Sequence, residues 1–273
     1  MKLAIVIQAR TASTRLPGKV LLPVAGKPLL ERMLERVTAA RHARHVLVAT
    51  TTNAADDAIV ALCAHLGVPC FRGHPDDCLD RHYQAGLWVG ADAVVKIPSD
   101  CPLIDPRVID RVLSVWSGAA QRYDYLGNLR PATWPDGNDV EVMSMAALDI
   151  AAREATDTFD REHTSPFLWS RPERFRLGNV VWETGYDYSR SQRWVVDWHE
   201  DYLFVCEVFS RLLGTDGTTD ACFSVNDILA LLGREPQLAA VNAEHQGYNY
   251  MGSRALRASF EGASQPRLKE TTP

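Results

Sequence analysis

The chain has 273 residues, enough to bury one sizeable core, and its formal net charge of −5 argues against a general nucleic-acid binder, which carries a basic face. No apolar run reaches the roughly 20 residues of a membrane-spanning helix. Six scattered cysteines without a C-x-x-C pair read as reduced thiols of a cytoplasmic protein.

Leu3 to Ile7 form an apolar run that reads as a buried strand, entered at once and without a signal-peptide pattern. A polar loop follows, holding Arg10, Ser13, Arg15, Gly18 and Lys19. A strand feeding a basic, glycine-containing loop can hold phosphate, because turn N–H groups point at the anion while cationic side chains neutralise it. Three cations within ten residues suit a triphosphate; solvated loop charges are the plainer reading. Neither G-x-G-x-x-G nor a Walker sequence is present.

Leu29, Leu30, Met33, Leu34 and Val37 recur at helical spacing, predicting a helix over 28–40 with Pro28 in its first turn. A second strand is expected over 45–50, ending in Thr51, Thr52 and Asn53, any of which could cap a helix whose apolar face is Ile59, Leu62, Cys63 and Leu66. Gly67 stops that helix and 68–72 gives a third strand. Strands alternating with helices imply a parallel sheet covered on both faces. Ligands then gather beyond the carboxyl ends of the strands, where Arg10, Asn53, Arg72 and Asp100 should fall.

Asp80 and Arg81 open a helix running to about residue 89; an exposed ion pair is the bland alternative for them. A fourth strand over 93–97 leads into Pro98-Ser99-Asp100-Cys101-Pro102-Leu103-Ile104-Asp105. A carboxylate at a central strand's end can reach a divalent cation on a triphosphate, whereas Asp105 reads as the cap of a helix over 106–116. Strands at 123–128 and 140–144 flank a long loop containing Gly137. Asp139 and Glu141, two apart, face one side of a strand; a solvated edge would explain them equally. A helix over 145–154 precedes Arg161-Glu162-His163-Thr164, which is expected to open another helix. His163 could donate to an anion or serve structurally. Strands over 174–181 and 193–196 follow, the second closed by Asp197, which either binds metal or caps the helix carrying Leu203, Phe204, Glu207 and Val208. Helices over 225–232 and 236–243 precede a polar end expected to be disordered.

The basic loop, the Asp-x-Pro-Leu-Ile string at Asp100, Gly137-x-Asp139-x-Glu141, Arg161-Glu162-His163-Thr164 and Val196-Asp197-x-x-x-Asp201 come in one order. They resemble the cytidylyltransferases that activate acidic sugars, the CMP-Kdo and CMP-acylneuraminate synthetases, and most closely the spore-coat polysaccharide branch. The resemblance implies an α/β, Rossmann-like three-layer nucleotidyltransferase fold, GT-A-like, with a mostly parallel central sheet and a smaller inserted acceptor segment. Residues 1–250 are expected to form a single domain, with 129–184 covering the acceptor and contributing to a homodimer, and 251–273 a tail. The resemblance also implies CTP and an anionic small-molecule acceptor as partners, without nucleic acid or membrane. Ala9, Arg10, Ser13, Arg15, Lys19, Arg72, Asp80 and Arg81 would hold the nucleotide, with Arg10 and Lys19 catalytic. Asp100 and Asp197 would bind Mg2+, and Asp139, Glu141, Glu162 and His163 the acceptor. Ser99 and Pro98 depart from the Gly and polar residue usual before the first metal aspartate, leaving the base contact open. Two rival readings stand beside this one: a GT-A glycosyltransferase using a nucleotide sugar, and a non-catalytic nucleotide-binding protein.

Overall fold

The apolar runs at residues 3–7 and 93–97 become neighbouring central strands in the computed structural model, which describes residues 1–119, 123–213 and 222–247. In chain order the first half comprises β1 (Leu3–Gln8), β2 (Pro23–Val24), β3 (Lys27–Pro28), α1 (Leu29–Thr38), β4 (Val46–Thr51), α2 (Asp57–Leu66) and β5 (Cys70–Gly73). Next come α3 (Cys78–Val89), β6 (Ala93–Pro98), α4 (Pro106–Gly118), β7 (Tyr125–Gly127), β8 (Glu141–Ser144) and α5 (Met145–Glu154). The last described elements are α6 (Thr158–His163), α7 (Pro166–Trp169), β9 (Leu177–Asn179), α8 (His199–Leu212) and α9 (Val225–Arg234).

Among the described residues, seven strands form one sheet in the order β5-β4-β1-β6-β8-β7-β9. The first four run parallel, β8 is antiparallel to β6 and β7, and β9 is parallel to β7. Period-two alternation divides the core between the two faces. Ile5, Ile7, Val95 and Ile97 pack with the apolar faces of α1, α4, α8 and α9, whereas Ala4, Val6 and Val94 pack with those of α3, α5 and α7. This is the three-layer α/β arrangement expected. Segment 129–184 is woven into it, since β8 lies directly beside β6. No helix among the described residues is long and apolar enough to cross a membrane.

Several expectations change in detail. Arg161, Glu162 and His163 close α6 rather than opening a helix, because Asp157 caps that helix from upstream by accepting from the Phe159 N–H at 2.7 Å. Residues 193–196 form no sheet strand, Arg193 making only an isolated bridge with Asp136. Their hydrogen bonds go instead to loops: Trp194 N–H to Asp136 O and Val196 N–H to Asp100 O, both 2.8 Å. The expected helix over 236–243 is replaced by two short 3-10 stretches, Pro236–Ala240 and Ala243–His245. The tail lies outside the described residues.

Arg36 shows how α1 serves the strand-end loops. It is fully buried on α1, and its guanidinium donates to the carbonyls of Ile104 (2.8 Å), Leu103 (3.1 Å) and Phe223 (2.8 Å). The Phe223 ring lies beneath it, 4.2 Å away. Asp105, the cap of α4, also accepts from the N–H of Val225 at the start of α9. The loop after Asp100 is therefore clamped from two sides. Arg36→Leu should strand these carbonyls and lower stability by about 3 kcal/mol, each unsatisfied buried group costing about 1–3 kcal/mol. Urea unfolding of the variant reads this directly, and an unchanged midpoint would mean the carbonyls find other partners.

Candidate active site

The loops leaving β1 and β6 open into a cleft of about 780 Å3 whose opposite wall is built by residues 128–139, the end of α6 and residues 187–197. The first loop, 9–19, closes on itself: the Gly18 N–H donates to Thr11 O at 2.8 Å, with Gly18 in the left-handed region (φ 69°). That conformation favours glycine and turns the chain so that Lys19 enters the cleft. Asp56, just before α2, pins the loop's base by accepting from Thr11 N–H and Thr11 Oγ1, both 2.7 Å, and from Thr51 Oγ1.

The Lys19 ammonium lies 3.1 Å from Asp100 Oδ2, 3.1 Å from Asp197 Oδ1 and 2.6 Å from Val196 O. Burial opposes its charge, but Asp100 and Asp197 outweigh this and hold it above the ordinary lysine range. Arg15 sits over the Trp198 ring and pairs with Asp197 Oδ1 at 2.5 Å. Burial would raise Asp197, yet Lys19 and Arg15 hold its carboxyl below the usual range. Asp197 is not the cap of α8. That helix begins after Trp198, and Asp201 accepts from the N–H groups of Asp197 (3.0 Å) and Trp198 (3.1 Å).

The fully buried face of this cluster depends on Arg193. It donates to Asp201 through Nε and Nη2, to Asp197 Oδ2 at 3.1 Å, and pairs with Asp136 at 3.4 Å. One guanidinium cannot balance three acids, and burial beside Asp139 pushes Asp136 well above the usual range. The Asp136-Gly-Asn-Asp139 string has a physical reading here. A Cβ on Gly137 (φ 106°) would meet the Trp194 backbone at 2.9 Å, so only glycine lets the two segments touch. Asn138, fully buried, accepts from the Asp105 N–H at 3.0 Å, and its carbonyl accepts from Asn128 Nδ2 at 2.6 Å. Asp139 is thereby presented to the cleft. Among the described residues no cation pairs with it, and burial beside Glu141 and Asp100 pushes it up to about 7.

Glu141 lines the floor but is consumed internally. It accepts from Lys96 Nζ (2.8 Å), Tyr125 Oη (3.1 Å) and Ser165 Oγ (2.7 Å); burial opposes its charge, yet Lys96 and Ser165 hold it below the usual range. Its oxygens are thus already engaged by these partners, although it lines the cleft as expected of an acceptor-side residue. Glu162 and His163 do line the cleft, and the His163 carbonyl accepts from Lys96 at 3.1 Å. Burial and then Lys96 lower His163, favouring neutral imidazole.

Of the residues expected to hold nucleotide, Ala9, Arg10, Ser13, Arg15, Lys19 and Arg81 line the cleft. Arg10 leans towards Pro75 O and Asp76. Arg81 clasps the turn before α3, donating to His74 O (2.6 Å) and Pro75 O (3.2 Å). Arg72 and Asp80 do not line it. Arg72 is taken by Asp57, Asn53 O and Thr51 O at the end of β4, and Asp80 accepts from Gln84 one turn along α3. Sequence reasoning missed Lys96, Arg130, Asp136 and Arg193. Lys96 carried a signal, a lone charge inside the apolar strand Ala-Val-Val-Lys-Ile-Pro. Arg193 also carried one, standing four residues before Asp197.

A profile of the family described as Cytidylyltransferase matches residues 4–217. The chain belongs to the cytidylyltransferase family. It is therefore a nucleotidyltransferase enzyme. It is 31% identical over 254 residues to the uncharacterised protein MJ1063 of Methanocaldococcus jannaschii, covering 92% of this chain and 98% of that one. It is 28% identical over 240 residues to the spore coat polysaccharide biosynthesis protein SpsF of Bacillus subtilis, covering 86% and 95%. A solved cytidylyltransferase from Leptospira borgpetersenii superposes with a TM-score of 0.81 at 29% identity, covering 91% of this chain and 98% of the other.

The Asp56 tether gives a pH test of this cytidylyltransferase. Burial opposes its charge, but bonds from Thr51 and Thr11 hold the carboxyl below the usual range. Its contribution is therefore full above the unfolded-state value of about 3.9 and is lost as pH falls through the lower folded value. Asp56→Asn should cost about 1–3 kcal/mol at pH 7, with the gap to wild type narrowing below about pH 4. Denaturant titrations at both pH values check this; a constant gap would take the ionised carboxylate out of the account.

Proposed function

We propose that this cytidylyltransferase transfers CMP from CTP to an anionic acceptor, an acidic sugar or a related compound, releasing pyrophosphate. The observation that carries this reading is the meeting of Lys19 with Asp100 and Asp197, which puts a basic loop and two acids at one point of the cleft. The donor set there fits Mg2+, since carboxylate and carbonyl oxygens are its preferred ligands. The neighbouring Cys101 thiol is pushed well up by burial and Asp100, so it supplies no thiolate to attract a softer metal.

Asp100 and Asp197 hold the cation, which when bound offsets negative charge on the triphosphate oxygens. Arg10 and Lys19 bind the triphosphate, with Ser13, Arg15 and the turn at Ala9 in support. An acceptor oxygen attacks the α-phosphorus, the bond to the bridging oxygen breaks, and pyrophosphate leaves. Cationic side chains stabilise the charge that grows on that bridging oxygen. Asp139 takes the acceptor hydroxyl's proton. Its carboxylate lines the cleft with no cation paired to it among the described residues, and a base titrating near the working pH is effective. The far wall suits a charged ring. Arg130, stacked 3.4 Å over Trp169, and Arg190 line it, beside Trp134, which stacks on Trp182 at 5.0 Å. Chemistry of this kind relies on positioning and electrostatics.

Pyrophosphate release from a panel of nucleoside triphosphates and anionic acceptors tests the assignment; release with no acceptor in the panel but with UDP-sugars consumed would sink it. Lys19→Ala should lose about 2.7–4 kcal/mol of transition-state stabilisation, the scale of one charge-stabilising donor. An unimpaired rate in that variant would remove Lys19 from the mechanism. Asp139 must be ionised to act, so the rate should fall as pH drops below about 7. Asp139→Asn should slow turnover by about 10²–10⁴-fold and abolish that acid limb, and a variant retaining the limb would place the base elsewhere.

A further inference from the structure

Asp197 is crowded with positive charge. Its Oδ1 faces the Lys19 ammonium at 3.1 Å and the Arg15 guanidinium at 2.5 Å, while its Oδ2 accepts from Arg193 at 3.1 Å. The same Lys19 nitrogen lies 3.1 Å from Asp100 Oδ2 and donates to Val196 O, so the space between the two carboxylates holds an ammonium group. Its side chain is 10% exposed. Mg2+ takes lone pairs of oxygen ligands at about 2.0–2.1 Å, and any divalent cation repels a like charge beside it. Lys19 and a cation bridging Asp100 and Asp197 therefore compete for one place. Arg193 contacts the other oxygen of Asp197 and is held by Asp201 and Asp136, so it need not move.

We propose that Lys19 is a built-in competitor of the divalent cation. Its ammonium holds the two carboxylates together until an incoming triphosphate draws it away and the metal takes its place. The inference rests on Asp100 and Asp197 being the metal carboxylates. It accounts for a lysine being placed on a flexible four-carbon stem at a glycine-led turn, where it can exchange carboxylate partners for phosphate oxygens. Linkage makes the consequence reciprocal: whatever removes Lys19 from the acids tightens metal binding, and the metal in turn frees Lys19 for the nucleotide.

The test is Mn2+ binding to the full chain without nucleotide or acceptor, followed by the spin-resonance signal of the free ion. Wild type should bind weakly and Lys19→Met at least tenfold more tightly, with Asp197→Asn in the Lys19→Met background losing that gain. Lys19→Gln, neutral but able to hydrogen-bond, should repeat the gain and replaces Lys19→Met if the latter fails to fold. Neutral variants that bind Mn2+ no more tightly than wild type overturn the inference. If Asp197→Asn still weakens binding by wild type in that case, the metal assignment survives without it. A gain that persists in the double variant instead puts the metal elsewhere and overturns both.

Discussion

One ammonium group joins three parts of the chain that lie far apart in sequence. Lys19 is 81 positions from Asp100 and 178 from Asp197, yet one nitrogen touches both. Five aspartates, Asp100, Asp136, Asp139, Asp197 and Asp201, gather around this point, and without cations among them their repulsion would drive the loops apart. Lys19 and Arg15 supply charge from the open side, and Arg193 supplies it from the buried side. A backbone bond, Val196 N–H to Asp100 O, fixes the spacing of the two acid-bearing segments.

The sheet prepares this meeting. Parallel β1 and β6 end side by side, so the loops carrying Lys19 and Asp100 start as neighbours. The sheet then reverses direction at β8, which brings Glu141 opposite Lys96 and delivers residues 128–139 to the far side of the same opening. Each wall is tied down by groups away from the chemistry: Asp56 under the basic loop, Arg36 beneath the loop after Asp100, and Asn138 between Asp105 and Asn128. The cytidylyltransferase cleft is therefore one preorganised polar network, whose walls have few independent ways to move.

The two walls also divide the electrostatic work. The wall carrying the basic loop sets Lys19 and Arg15 against the acids. On the far wall Asp139 pairs with no cation among the described residues, while the neighbouring Glu141 is neutralised by Lys96. Two carboxylates two residues apart thus end in opposite ionisation environments, which periodicity alone could not separate.

Local pattern carried much of this protein. Apolar runs and helical spacing determined β1, β4, β6, α1 and α4, because burial of a face is written in every second or every third-to-fourth residue. The ordered strings around Lys19, Asp100, Asp139 and Asp197 likewise marked the loops that line the cleft, since loops keep the polar residues that function needs. Other features were decided only by the tertiary structure. Arg72 and Asp80 stand at a strand end and a helix start but are turned to partners off the cleft. Glu141 looks like Asp139 in sequence and is silenced by a lysine from another strand. Asp201 was legible only as the last letter of a motif and Arg193 not at all as a partner, yet Asp197 rests on both. The reason is that burial and charge compensation depend on how segments pack: Lys96 and Glu141 meet from 45 positions apart, and even the near pair Arg193–Asp197 is enclosed by segments that no short window contains.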